Sequence, residues 1–252
     1  MSARRPGPPG FISVAVPGEN VTGLTEHDGR SVESIIRESV PGAADGTKLV
    51  FVMGPYRLLD PGYLYEDRTF SDLPPDPLAP HDHGHADVDP DDIEATLRGL
   101  CSELSEVPGV TAFLATDVTI PTVREVEEEG AQGPAMPVID QSVAFAAASD
   151  ASAFVFTKAG LTTGAGAEAG AIPESFGLRD DDPSRPPELC RIFAEAKREE
   201  RDGQTYLEPQ FASASIDEMD EAYDVPIAHF ADRDELLDKL IGFVEGDVFE
   251  IV

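Results

Sequence analysis

Short apolar segments alternate with amphipathic ones along most of this 252-residue chain. The apolar segments at 48–53, 110–118 and 153–157 are continuous, which is typical of strands that are buried on both faces of a sheet. Apolar residues recur at helical spacing in 31–40 and 232–244. Strands that alternate with helices predict an α/β fold, with a doubly wound, mainly parallel sheet of about five strands and helices on both faces.

Three further helices and two short strands are predicted, and another helix follows the glycine-rich turn at 160–170. The helices fall at 89–106, 140–149 and 188–201, and the strands fall at 225–230 and 249–252. The run of glutamates at 125–129 predicts a solvated loop or helix face.

The chain is predicted to form one domain with a flexible extension. Residues 1–22 are rich in proline and glycine and predict a flexible N-terminal arm, whereas 23–252 predict a single α/β domain. Within that domain the stretch 58–90 is dense in proline, aspartate and histidine, and it predicts a long loop. Residues His81, His83 and His85 in this loop suggest metal ligands, but alternate residues of an extended chain point to opposite sides. We therefore predict a mobile, solvated loop, with a lid over the pocket as the alternative, and no metal or cofactor.

The composition is strongly acidic, with 49 Asp and Glu against 18 Lys and Arg and a formal net charge of -31. Because 41% of the residues are hydrophobic, this charge is expected to coat a folded surface rather than to form a disordered tail. Salt screens such a coat, since the Debye length is about 3 Å at 1 M. This balance indicates a halophilic protein and disfavours nucleic acid as a partner.

The sequence also indicates where the protein resides. The apolar runs are shorter than the ~18 residues of a membrane span, and the run at 11–16 is too short for a secretion signal. We expect a cytoplasmic protein that does not bind membranes. Cys101 and Cys190 lie in different predicted helices and are expected to be buried free thiols.

Ligands of doubly wound sheets bind beyond the carboxyl ends of the strands, near the point where strand order reverses. The turn after the first predicted strand, Gly54 to Arg57, occupies such a position. Arg57 is one of few cations, so it is predicted either to hold a phosphate in a bidentate contact or to pair with one of the abundant carboxylates.

The turn after the third predicted strand is the second candidate. Gly164 and Gly166 allow a ligand to approach the backbone closely, and Glu168 stands among small residues at the start of a helix. Burial would raise the pKa of Glu168, as acid, base or nucleophile chemistry often requires. The alternative is a first-turn glutamate that the helix dipole favours.

These segments, in this order, resemble the nucleoside 2-deoxyribosyltransferase family and its TIR-like relatives, which have flavodoxin-like folds and cleave N-glycosidic bonds. The resemblance covers 48–170 in outline, together with 225–244. A similar glycine-rich turn with a glutamate occurs in phosphoribohydrolases of the lysine-decarboxylase-like family, which break the same type of bond. The resemblance implies cleavage or transfer at a nucleoside, nucleotide or NAD-like substrate.

The resemblance also assigns roles to residues. It implies that Gly54, Pro55 and Tyr56 line the substrate pocket and that Glu168 is the nucleophile. Asp140 and Asp150 match two acidic positions of the family before the third strand. A carboxylate captures or stabilises the oxocarbenium-like centre that forms as the base departs. Asp140 and Asp150 either protonate the leaving nitrogen or orient a hydroxyl, and Asp150 is alternatively a residue that ends a helix.

Two expectations about partners follow. The resemblance implies a small-molecule nucleoside or nucleotide as ligand and a homo-oligomer as the assembly, with the apolar residues 249–252 as candidates for the contact. The family usually carries an aspartate where this chain has Thr162 and Thr163. A non-catalytic nucleotide-sensing or protein-interaction domain on the same fold is therefore the alternative function.

Overall fold

A computed structural model describes residues 24–56, 78, 92–158, 160, 163–201, 204–209 and 214–252. Its strands are β1 (Lys48–Met53), β2 (Val110–Phe113), β3 (Ala151–Phe156), β4 (Cys190–Arg201), β5 (Gln204–Pro209) and β6 (Ile227–Phe230). Its helices are α1 (Val32–Ser39), α2 (Asp92–Leu104), α3 (Val123–Glu128), α4 (Val138–Ala148), α5 (Thr163–Ser175), α6 (Ala214–Tyr223) and α7 (Arg233–Phe243).

Shorter elements complete the description. A hairpin of two-residue strands, Glu26–His27 and Arg30–Ser31, precedes α1. Two 3-10 turns lie at Ala115–Asp117 and Pro187–Leu189, and a π turn at Val244–Val248 leads into the last helical turn, Phe249–Ile251.

Five of the strands form a parallel sheet in the order β2-β1-β3-β4-β6. Counted along the chain within that sheet, this is the 2-1-3-4-5 order of flavodoxin-like folds, so strand order reverses between β1 and β3. Strand β4 continues beyond the sheet and pairs with β5 as an antiparallel ribbon, with Ala196 opposite Pro209. The predicted doubly wound α/β fold is confirmed.

The sheet is buried on both faces, which explains why its central strands are continuous apolar runs. Along β1, Leu49 and Phe51 pack towards α1, α4 and α5, whereas Val50 and Val52 pack towards α2 and α7. The Phe51 ring stacks on Phe113 with centroids 5.3 Å apart. Among the described helices, none is long and apolar enough to cross a membrane.

Two predictions of secondary structure were wrong. Residues 188–201 form a short 3-10 turn and strand β4 rather than a helix, although alanine, glutamate, lysine and arginine favour helices. Pairing with β3 on one side and β6 on the other overrides that propensity, because the segment fills a gap in the sheet. The predicted strand at 249–252 is instead the helical turn Phe249–Ile251.

The predicted arm and the predicted loop lie wholly or mostly outside the described residues, whereas both cysteines lie within them. The predicted arm at 1–22 lies outside the described residues, as does the predicted loop at 58–90 except for Leu78, which is buried against the α2 side of the sheet. Both cysteines are buried free thiols, as predicted, although Cys190 begins β4 rather than lying in a helix. Burial raises the pKa of the Cys190 thiol to about 11, which leaves it unreactive.

Candidate functional site

The turns that follow β1 and β3 meet at the point where strand order reverses. A Cβ atom on Gly160 would lie 2.5 Å from Pro55 Cβ and 2.4 Å from Thr157 Oγ1, so only glycine fits there. The Gly160 backbone N–H donates a hydrogen bond of 3.1 Å to Thr157 Oγ1. This contact fixes the floor of the candidate site at the carboxyl ends of the two strands.

Glu168 is the sixth residue of α5, the helix that follows this floor, so the prediction that it stands in the first turn was wrong; its side chain is shielded. It shares the helix face that packs on α4 with Ala165, Ala169 and Ile172, all of them buried. Glu168 itself is 9% exposed. Burial raises the pKa of its carboxyl above the ordinary value of 4.5, and a hydrogen bond from Ser142 opposes that rise.

Ser142 of α4 is the direct partner of this carboxyl. Its Oγ atom lies 2.6 Å from Glu168 Oε1 and 3.1 Å from the carbonyl oxygen of Val138. Sequence analysis missed Ser142. The signal was available, because Gln141 and Ser142 stand among apolar residues of α4 and buried polar groups require partners.

Tyr56 brings a phenol to the same edge of the sheet. Burial raises its pKa most, and the charge of Glu168 raises it further. A backbone hydrogen bond from Ala115 lowers it, but the phenol stays protonated throughout the physiological range. The charge of Glu168 therefore acts on the Tyr56 phenol.

An ion-pair network holds the turn after β2 next to Tyr56. Arg98 Nε donates to Asp117 Oδ1 at 3.0 Å, and its Nη2 donates to Glu94 Oε1 at 2.9 Å. The other Asp117 oxygen accepts a hydrogen bond of 2.9 Å from the Leu114 backbone N–H. Because these bonds fix the 3-10 turn, they also fix the backbone amide that meets the Tyr56 phenol.

The glycines predicted to line the pocket differ in what surrounds them. Gly54 is buried, and a Cβ atom there would lie 3.1 Å from Leu97 Cδ1 and 3.3 Å from Val155 Cβ, so it serves the packing of the sheet on α2. Gly164 and Gly166 are exposed on α5, and a Cβ atom on either would have no atom within 4 Å. Protein packing therefore does not require these two glycines.

The two predicted aspartates do not join Glu168. Asp150 lies at the amino end of β3, where its Oδ2 accepts a 2.7 Å hydrogen bond from the Leu49 backbone N–H and its Oδ1 lies 3.6 Å from Lys48 Nζ. The six residues of β3 separate it from the carboxyl edge by roughly 20 Å at about 3.3 Å per residue. Asp150 thus links β1 to β3 and is not a proton donor at the site.

Asp140 is closer but points elsewhere. It lies half-buried in the first turn of α4, two residues before Ser142. Two residues correspond to about 200° around a helix, so the face that meets Glu168 carries Ser142 and not Asp140.

The cation that the structure brings to this edge is Lys158, because Arg57 lies outside the described residues. Its backbone N–H donates a 2.6 Å hydrogen bond to Glu195 Oε2, and its side chain is exposed. Among the lysine and arginine side chains that the structure describes, only Lys158 and Arg185 have no carboxylate oxygen within 4.0 Å. Arg185 instead bonds the Ser149 carbonyl and covers the Phe176 ring. In so acidic a chain, an exposed unpaired cation at the ligand-binding edge is a candidate anion contact.

Within the described part of the chain, no group of three or more histidine, cysteine, aspartate or glutamate side chains is arranged to hold a metal ion. The predicted loop histidines His81, His83 and His85 lie outside that part.

Comparison with known proteins identifies a family. A search of curated proteins and a search of solved structures each gave no match. The family model described as Domain of unknown function (DUF7509) matches residues 33–249, a span that includes the whole parallel sheet together with Tyr56, Ser142 and Glu168. The chain therefore belongs to the DUF7509 family.

Proposed function

We propose that this protein binds a nucleotide-like small molecule where β1 and β3 end, and cleaves or transfers its N-glycosidic bond with Glu168 as the nucleophile. The observation that carries the proposal is the shielded Glu168 carboxyl, held by Ser142 and coupled to the Tyr56 phenol. A titratable group with a raised pKa at the ligand-binding edge of a doubly wound sheet is a typical mark of an active site.

The reaction requires one carboxylate of the protein that attacks C1′ of the sugar. As the C1′–N bond breaks, its electron pair leaves with the base, and a carboxylate oxygen of Glu168 forms a bond to C1′. The departing nitrogen takes up a proton from solvent water. A water molecule or a second base then forms a bond to C1′, the bond from C1′ to the Glu168 oxygen breaks, and the attacking molecule gives up a proton to solvent. A carboxyl of raised pKa is the stronger nucleophile once ionised, and Tyr56 brings a protonated phenol to the same edge of the sheet.

Two further features favour a phosphorylated substrate over a neutral nucleoside. Lys158 presents an exposed ammonium group at this edge, with no carboxylate partner among the described residues. Gly164 and Gly166 leave open space along the first turn of α5, where a ligand can approach the backbone. Together they suit a phosphate group of a nucleotide or of an NAD-like molecule.

The test is release of free base. Purified protein in multimolar KCl, chosen to screen the charge of -31, is incubated with nucleosides, nucleoside monophosphates and NAD, and the products are separated by chromatography. We expect base release that Glu168→Gln abolishes. The matched control is Glu106→Gln, an exposed glutamate beyond the end of α2 at the opposite edge of the sheet, which should leave release unchanged.

The same assay tests the substrate class. Lys158→Ala should reduce kcat/KM for a monophosphate about tenfold and leave any nucleoside reaction unchanged, since a charge-assisted contact contributes about 1.5 kcal/mol or more. Lys197→Ala removes an exposed lysine that is paired with Glu199, and serves as the control. Binding of nucleotides without release would instead support the non-catalytic sensing alternative. If the protein neither binds nucleotides nor releases base from them, the proposal is refuted.

A further inference from the structure

We infer that Ser142 is a positioning residue whose hydroxyl proton alternates between the Val138 carbonyl and the Glu168 carboxyl as that carboxyl gains and loses a proton. The inference rests on the proposed function in one respect, namely that the Glu168 carboxyl is the reacting group. It adds a residue from a second helix to that site.

The hydrogen-bond geometry permits two complete patterns. Ser142 carries one hydroxyl hydrogen, and its Oγ lies within bonding distance of two oxygens, Glu168 Oε1 at 2.6 Å and Val138 O at 3.1 Å. When Glu168 is ionised it only accepts, so Ser142 donates to it. When Glu168 is protonated it donates to Ser142 Oγ, and Ser142 donates to the Val138 carbonyl.

Neither pattern leaves a buried group without a partner. Val138 is the residue four before Ser142 in α4, so its carbonyl also accepts the ordinary helical bond from the backbone. Ser142 is 1% exposed, and water therefore does not replace the missing partner in either state. The Glu168 carboxyl can thus change its charge without the cost that an unpaired buried group imposes.

The contact also distinguishes the two carboxyl oxygens. Because Oε1 is bound to α4, Oε2 is the oxygen that remains for a substrate. Among the described titratable groups of the neighbouring elements, the Tyr56 phenol in the turn after β1 feels the charge of Glu168, whereas burial and the Ser142 hydrogen bond set the pKa of Glu168 itself. Asp140, on α4 itself, lies on another side of that helix from Ser142.

The experiment measures the carboxyl directly and does not require turnover. Side-chain carboxyl carbons of glutamate are labelled with carbon-13, the Glu168 signal is identified by its loss in Glu168→Gln, and its titration is followed by NMR. In Ser142→Ala the ionised carboxyl loses a donor, so we expect the midpoint to rise by roughly one pH unit, a tenfold change in proton affinity.

Two variants control for a merely structural effect. Ser149→Ala removes another buried hydroxyl of the same helix region, which donates to the Phe145 carbonyl at 2.7 Å, and should leave the midpoint unchanged. Ser142→Thr keeps the hydroxyl and should restore a midpoint near that of the wild type. A folded Ser142→Ala variant with the wild-type midpoint would overturn the inference.

Failure of this inference is distinguishable from failure of the proposed function. If the midpoint moves and no base is ever released, the pairing of Ser142 with Glu168 holds and the glycosidic proposal fails. If base is released, the fall in kcat/KM at low pH should shift upward with the NMR midpoint in Ser142→Ala, because the reaction requires ionised Glu168. A pH profile that does not move would reject Ser142 as a positioning residue.

Discussion

Replacing the two open glycines of α5 by alanine should make the protein more stable and less active. Gly164 and Gly166 are exposed and helical, a Cβ atom on either has no atom within 4 Å, and neither has a positive φ. Glycine in a helix interior costs about 0.5–1 kcal/mol relative to alanine. The double variant should therefore gain roughly 1–2 kcal/mol, which corresponds to a rise in Tm of about 2–8 °C.

The expected loss of activity has a separate cause. If a nucleotide approaches the backbone of the first turn of α5, two new methyl groups occupy its path. We expect kcat/KM for base release, measured well below the Tm, to fall at least tenfold, a loss of about 1.4 kcal/mol in transition-state binding. Thermal unfolding followed by circular dichroism at fixed KCl concentration gives the stability half of the prediction.

Two other glycines provide controls of opposite sign. Gly170→Ala lies further along the same helix, also without an atom within 4 Å of its Cβ position, and should stabilise the protein without loss of activity. Gly160→Ala places a Cβ atom 2.4–2.6 Å from Thr157 and Pro55 atoms, and should destabilise by about 1–3 kcal/mol. A stabilised double variant with unchanged release would refute the view that these glycines make room for a ligand.

Two further predictions concern the acidic residues. Glu168→Gln should raise the free energy of unfolding by on the order of 1 kcal/mol at neutral pH, because it removes a charge that burial disfavours. The stability difference from the wild type should grow as pH rises from about 4.5 through the raised folded-state pKa of Glu168, and it should vanish below that range. Urea titrations at several pH values measure this difference. An advantage that grows at low pH would contradict the raised pKa. Asp150→Asn should lower stability by about 1–2 kcal/mol, since it weakens the bond to the Leu49 N–H, while base release per folded molecule stays unchanged. A folded Asp150→Asn variant that releases less base would show that Asp150 takes part in the reaction.

Several parts of the site were predictable because they depend on local sequence. The turns after β1 and β3 follow from apolar runs that stop at Met53 and Phe156, and a parallel sheet necessarily brings such turns to one edge. Gly164 and Gly166, which were predicted in the second turn, instead lie in α5. The isolation of Glu168 among small residues likewise predicted burial, and its pKa is raised for that reason.

Other parts depend on which elements meet, and no local pattern reports that. Cys190–Arg201 forms a strand because it pairs with β3 on one side and with β6 on the other. Asp150 bonds β1 at the amino end of β3 whereas Glu168 bonds α4 from α5, a separation that their spacing in sequence does not reveal.

The sequence by itself determined the α/β class and the central strands β1 and β3, because hydrophobic periodicity and turn chemistry act over a few neighbouring residues. Only the tertiary structure decided which side chains share that edge. Ser142 rather than Asp140 reaches Glu168, and Gly54 packs on α2 whereas Gly164 and Gly166 face open space. The physical reason is that hydrogen bonds and close packing between helices depend on how α4 and α5 rotate against the sheet, and that rotation is set by the whole core.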